Sequence, residues 1–183
     1  LLISNNSPVI NLLLSLSEIE KIVENAKIKY NVHGPMQEQV EAVLLAGDVY
    51  DSSVTNAEAI ALFNEAATKL CMELGIKFVV IAGNHDSAAR LAACRDLLRA
   101  SGMYVTGRLE RDVEPVLLDG GKVAVHSLPF FGREEVSALY PERAEEIRSP
   151  ETAMLVVCDE IRKNMDKTRR NIVISHAMIV NAE

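Results

Sequence analysis

The chain has 183 residues and a formal net charge of −7, with 49% apolar and 25% charged residues. That is the length and balance of one globular domain with a real core. No apolar run approaches the roughly 18–20 residues of a membrane helix, and the acidic balance argues against a surface coated with basic residues for nucleic acid. It leaves a nuclease open, because divalent ions in an acidic site bring their own positive charge.

In chain order, Leu1–Ser4 predicts a short strand. No basic stretch precedes the apolar residues at the start, and Asn and Ser interrupt them, so no signal peptide is expected. Ser7-Pro8 predicts a helix start, and Leu12, Leu13, Leu16, Ile19, Ile22, Val23 and Ala26 keep a helical period to about Lys29. The charges from Glu18 to Lys29 read as its solvated face. Asn31-Val32-His33-Gly34-Pro35 breaks the pattern, and a strand through Val43–Ala46 follows. Thr55-Asn56-Ala57-Glu58 reads as a capping box opening a helix that Gly75 ends. Lys77–Ala82 predicts a second buried strand, and Ser87 caps a helix running to about Ser101. Met103–Thr106 predicts a strand. Val113–Leu118 and Lys122–Leu128 flank Asp119-Gly120-Gly121 as a hairpin. Ser149-Pro150-Glu151 starts another helix, and Asn171–Ile174 is a strand that delivers Ser175-His176 to a loop. Strands alternate with helices, which predicts an α/β fold with helices on both faces. Cys71, Cys94 and Cys158 fall in helical patterns without metal-type spacing, so buried reduced thiols and a cytoplasmic home are expected.

Two stretches carry the chemistry: Ala46-Gly47-Asp48-Val49-Tyr50-Asp51-Ser52 and Ala82-Gly83-Asn84-His85-Asp86-Ser87. Each is an apolar run that stops at a glycine followed by metal-capable side chains. Asp48 and Asn84 lie 36 positions apart, about one strand–helix–strand unit, so a right-handed crossover places both at one sheet edge. His126 lies inside a hairpin strand and reads as a packed or surface histidine; His33 reads as a solvent-facing turn residue.

Gly47-Asp48-x-x-Asp51 and Gly83-Asn84-His85-Asp86 together resemble two motifs of the calcineurin-like metallophosphoesterases. With Arg90-Leu91, Ser127-Leu128-Pro129-Phe130 and Ile174-Ser175-His176, the stretch from about Glu41 to Ala177 resembles the SbcD-type nuclease subunits of that superfamily. The resemblance implies a metallophosphoesterase fold with its site at strand C-terminal ends. It implies a DNA exonuclease/endonuclease of a DNA repair complex with two divalent ions, manganese first and magnesium second. Two ions about 3.5–4 Å apart would activate water and neutralise charge on a phosphodiester. Asp48 would bridge both ions, Asn84 and His176 would bind one, and His85 would serve the leaving oxygen. Asp86 would hold the His85 ring, Asp51 would order its own loop, and Arg90 would reach the phosphate or make a helix-surface salt bridge. The implied partners are DNA, an SbcC-type ATPase and a second copy docked through the helices after the metal motifs.

The family's opening Asp-x-His falls here near Asn5-Asn6-Ser7, with no aspartate before Asp48, and its final Gly-His-x-His is not found. Asn5 and Ser7 are poor replacements for a carboxylate and an imidazole, and His33 lies too close to Asp48 for the intervening helix. We therefore expect one domain over 1–183 that stops before the last metal motif, with one ion's ligands mainly kept and little nuclease activity in this polypeptide. The alternatives are a phosphoesterase for nucleotides or other small diesters, and a non-catalytic scaffold.

Overall fold

The computed structural model describes residues 2–4 and 40–177. The expected helix from Ser7 to Lys29, and the readings of Asn5, Ser7 and His33, lie outside them.

Two sheets pack face to face. The first has the order β1-β2-β3-β4, formed by Leu2–Ser4, Val40–Ala46, Lys77–Ile81 and Met103–Thr106. The second is β5-β6-β7, formed by Val116–Leu118, Val123–Leu128 and Arg170–Ser175. β2, β3 and β4 run parallel, with Ala46 opposite Ile81 and Ile81 opposite Thr106. β5 and β6 form the expected hairpin, and β7 runs parallel to β6 with Ser175 opposite Leu128. The ends of β2, β3, β6 and β7 thus meet at one edge, where His176 N–H donates to Leu128 O (3.3 Å) and Phe130 N–H to Ala82 O (2.8 Å).

β1 runs the other way. Its register pairs Leu2 with Val43 and Ser4 with Val40, so the strand exits beside the start of β2, opposite the Asp48 end. A first strand bringing ligands to the site would run parallel to β2.

Near-continuous apolar strands need cover on both faces. One face of the first sheet, with Val43, Leu45, Phe78 and Val80, packs under helix α1 (Ala57–Thr68) through Phe63 and Ala66. The other face, with Ala42, Leu44, Val79 and Ile81, packs against Val116, Leu118, Val123, Val125 and Ile174 of the second sheet. Two further helices, α2 (Ala88–Leu91) and α3 (Arg95–Ala100), follow β3. The second sheet's outer side is covered by α4 (Arg133–Leu139) and α5 (Pro150–Asn164), with Val136, Val156 and Val157 around Leu128. The α/β expectation holds, with one refinement. Helices flank a pair of sheets rather than both faces of one, because each sheet covers the other.

Several local expectations shift. Asn56, not Thr55, caps α1, its Oδ1 accepting from Ala59 N–H (2.8 Å). A wide π turn over Lys69–Glu73 then buries Leu70 before Gly75 turns the chain at φ +65°. The helix expected from Ser87 to Ser101 is the two pieces α2 and α3, separated by Cys94 at φ +59°. Ser87 precedes the first without a side-chain cap. Ser149 caps α5 through its hydroxyl, which accepts from Thr152 N–H (3.2 Å). The cysteines are free but not buried: Cys94 is exposed at the break, and Cys71 and Cys158 are half-buried. Burial pushes the Cys71 thiol up, which keeps it protonated.

Candidate metal centre

The β2–α1 loop reverses direction immediately after Ala46. Gly47 takes φ +83° and Asp48 φ +47°, a left-handed conformation that aspartate tolerates better than branched residues. Gly47 and Gly83 are glycines for want of room. A Cβ on Gly47 would lie 2.6 Å from His176 Cγ and 2.9 Å from Gly83 Cα. One on Gly83 would lie 2.8 Å from Asp48 Cγ. The two loops therefore touch backbone to backbone, with His176 against the first.

One carboxylate ties them. Asp86 Oδ2 accepts from Gly83 N–H (2.8 Å) and Val49 N–H (3.1 Å), and Oδ1 accepts from Tyr50 N–H (3.0 Å). This corrects the expectation that Asp86 holds the His85 ring. A carboxylate three residues past Gly83 reaches backbone amides of both loops more readily than its neighbour's ring. Burial, and then the nearby Asp86 charge, push the Tyr50 phenol up and keep it neutral.

His85 is oriented by the other loop. Its Nδ1 lies 2.9 Å from Asp51 O. A carbonyl only accepts, so Nδ1 carries the proton and Nε2 is left for chemistry. The His85 backbone N–H donates to Asp48 Oδ1 (3.1 Å), which sets that carboxylate's direction. Asp51 enters through its backbone: its carbonyl fixes the His85 tautomer.

His176 completes the group. Its Nδ1 lies 2.8 Å from Ala46 O, so by the same argument the proton sits on Nδ1. Nε2 then faces Asn84 Oδ1 at 3.0 Å and Asp48 Oδ2 at 3.5 Å. With a neutral ring, three acceptor atoms converge with no proton among them. A second proton on the ring, a cation between the three, or an Asn84 amide turned over to donate its N–H would each satisfy that arrangement.

The donor set suits a divalent ion: a carboxylate oxygen, an amide oxygen and an imidazole nitrogen, with coordination positions left open. Among the described residues no group of three His, Cys, Asp or Glu forms a metal cluster; this site has two of them and an asparagine. Its donors fit one ion, and no second set gathers among the described residues.

Other expected positions fall elsewhere. Arg90 Nη1 donates to Ser53 O (3.0 Å), a contact with the loop after β2 rather than a helix-surface salt bridge. His126 is buried, as its packed reading expects, with Nε2 2.9 Å from Asn171 Oδ1. The neighbour missed by sequence reasoning is Phe130, whose ring lies 6.3 Å from the His176 ring at 77°. Its signal was a Pro-Phe pair directly after a strand. The Ala46 and Asp51 carbonyls left no signal, since any residue supplies one.

The chain is 31% identical over 143 residues to a Staphylococcus epidermidis protein named as the D component of the nuclease SbcCD, covering 78% of this chain and 37% of that one. It is 28% identical over 161 residues to the protein of the same name from Staphylococcus saprophyticus, covering 88% and 39%. The chain thus spans less than two fifths of the length of these curated relatives. The calcineurin-like phosphoesterase family matches residues 15–180, which takes in both glycine loops and the strand end carrying His176, and the chain belongs to that family.

Proposed function

We propose that this chain is the nuclease part of an SbcCD-like DNA repair enzyme, hydrolysing DNA phosphodiesters as an exonuclease and endonuclease with manganese, or second-best magnesium. The observation that carries this reading is the convergence of Asp48 Oδ2, Asn84 Oδ1 and His176 Nε2 beside an oriented His85. Its further support is the likeness to proteins named as components of a nuclease. Bound divalent ions supply positive charge for the phosphate and lower the pKa of an attacking water.

The chain's own residues do the rest. Asp48 offers two oxygens, and Asn84 and His176 add donors on one side. His85, with Nδ1 committed to Asp51 O, presents Nε2 toward the leaving oxygen. In its doubly protonated form His85 would pass the Nε2 proton to the alkoxide as water attacks phosphorus and the P–O bond breaks, ending neutral with Nδ1–H on Asp51 O, while the attacking water releases its proton to solvent. Asp86 positions these groups through the backbone. Residues 1–183 form one domain in this reading, and no ligand set for a second ion gathers among the described residues.

An SbcC-type ATPase is the proposed partner, with a second copy docking on the α1 side, where Ile60, Met72 and Leu97 are exposed. Among the described residues no helix is long and apolar enough to cross a membrane; cytoplasmic residence is part of the proposal. The test is cleavage of end-labelled duplex DNA against a small chromogenic diester, each with manganese and with magnesium. Cutting of DNA ends supports the nuclease; cutting of the diester alone supports a small-substrate phosphoesterase. Tight metal binding without cleavage of either supports the scaffold.

A further inference from the structure

Phe130 is an exposed aromatic that the fold does not use. Its side chain is 39% exposed and joins none of the three buried cores, whereas the next residue, Phe131, packs against the outer one. Looseness does not explain the exposure. The Phe130 N–H is hydrogen-bonded to Ala82 O (2.8 Å), and Pro129 before it has a fixed φ. The ring is held against His176, centroid to centroid 6.3 Å, in a near-perpendicular arrangement that occupies at most one face of the phenyl group. At least one face is left without His176 as a neighbour, next to the atoms that gather at His176 Nε2. The phenyl ring thus stands directly beside the ring whose Nε2 faces Asn84 Oδ1 and Asp48 Oδ2.

We propose that Phe130 is a specificity residue: a platform on which the base of the nucleotide being cleaved stacks. The inference rests on the nuclease reading and deepens it by giving the site a way to prefer nucleic acid. Stacking is tolerant of sequence, because every base has a π face. It also suits a chain of net charge −7, which has little general attraction for the phosphate backbone.

The test uses the intact protein with manganese and two duplexes, one with a normal terminal nucleotide and one whose terminal nucleotide is abasic. Wild type should cut the normal end about tenfold faster. Phe130→Ala should erase that preference with metal affinity unchanged, and Phe130→Trp should keep it. A second readout needs no metal. With EDTA present, 2-aminopurine at the duplex end should be quenched by wild type and Phe130→Trp, and not by Phe130→Ala. Preference and quenching that survive in Phe130→Ala would overturn the platform while leaving the nuclease standing. A wild type that cuts the small diester and no DNA would overturn both.

Discussion

The two halves of the metal centre are built by different physics. The first-sheet half comprises Asp48, Asn84, His85 and Asp86, all within a few residues of the ends of two paired strands. It is held by backbone contact at Gly47 and Gly83 and by one carboxylate taking three N–H groups. The second-sheet half comprises His176 and Phe130. It reaches the site because Ile174, Val123 and Val125 pack against Leu44, Val79 and Ile81. The halves are joined at two backbone carbonyls, by His176 Nδ1–H to Ala46 O and Phe130 N–H to Ala82 O, and by the contact of His176 Nε2 with the Asn84 amide. Local geometry makes the first half rigid; face-to-face sheet packing sets the register of the second.

That contrast breaks most sharply at the glycines. Gly47→Ala and Gly83→Ala each force a methyl into occupied space, and at Gly47 the positive φ adds strain. Both should weaken manganese binding about a hundredfold or more in a titration. Their melting temperatures should fall by only the few degrees expected of overpacking at a loop. Asp86→Ala comes next. It leaves three N–H groups without their charged acceptor and should cost about 3 kcal/mol, discounted for partial exposure, with metal affinity down about tenfold. Asp86→Asn should recover part of both, since its one oxygen still accepts. An Asp86→Ala protein that lost activity yet kept stability and metal affinity would instead place Asp86 at the reacting atoms.

The smallest effect lies in the second half. Asp166, in the turn before β7, accepts from the Thr168 hydroxyl and backbone N–H and pairs with Arg169, which lowers its carboxyl to about 2. Its pKa is lower folded than unfolded, so its contribution is present above about pH 4 and lost as pH falls toward 2. Asp166→Asn should therefore lower the melting temperature slightly at pH 6 and not at pH 2. Manganese affinity should stay the same at pH 6.

The same contrast decides what is legible in the sequence. Asp48, Asn84 and His85 can be placed together because each follows a buried strand directly and 36 positions fit one crossover. Which surface covers each strand face is not legible. Phe78-Val79-Val80-Ile81 is apolar on both sides whether a helix or a second sheet lies over it. The break at Cys94 is hidden for a similar reason. Leu91 and Leu98 both pack in the first core, and a spacing of seven fits two turns of one helix as well as two short helices about a left-handed residue. The role of Asp86 escapes the sequence because its partners are backbone amides, which any residue but proline supplies.

The central claim is that Asp48, Asn84 and His176 share one divalent ion. Manganese titration followed by electron paramagnetic resonance, on wild type and on His176→Ala, tests it most directly. His176 hangs from the second sheet, so its removal leaves the loop hydrogen bonds of Asp86 and His85 in place. The account predicts a manganese affinity at least about tenfold weaker, with the melting temperature of the metal-free protein only a few degrees lower, as expected for loss of the hydrogen bond to Ala46 O. Manganese binding equal to wild type in His176→Ala would contradict it.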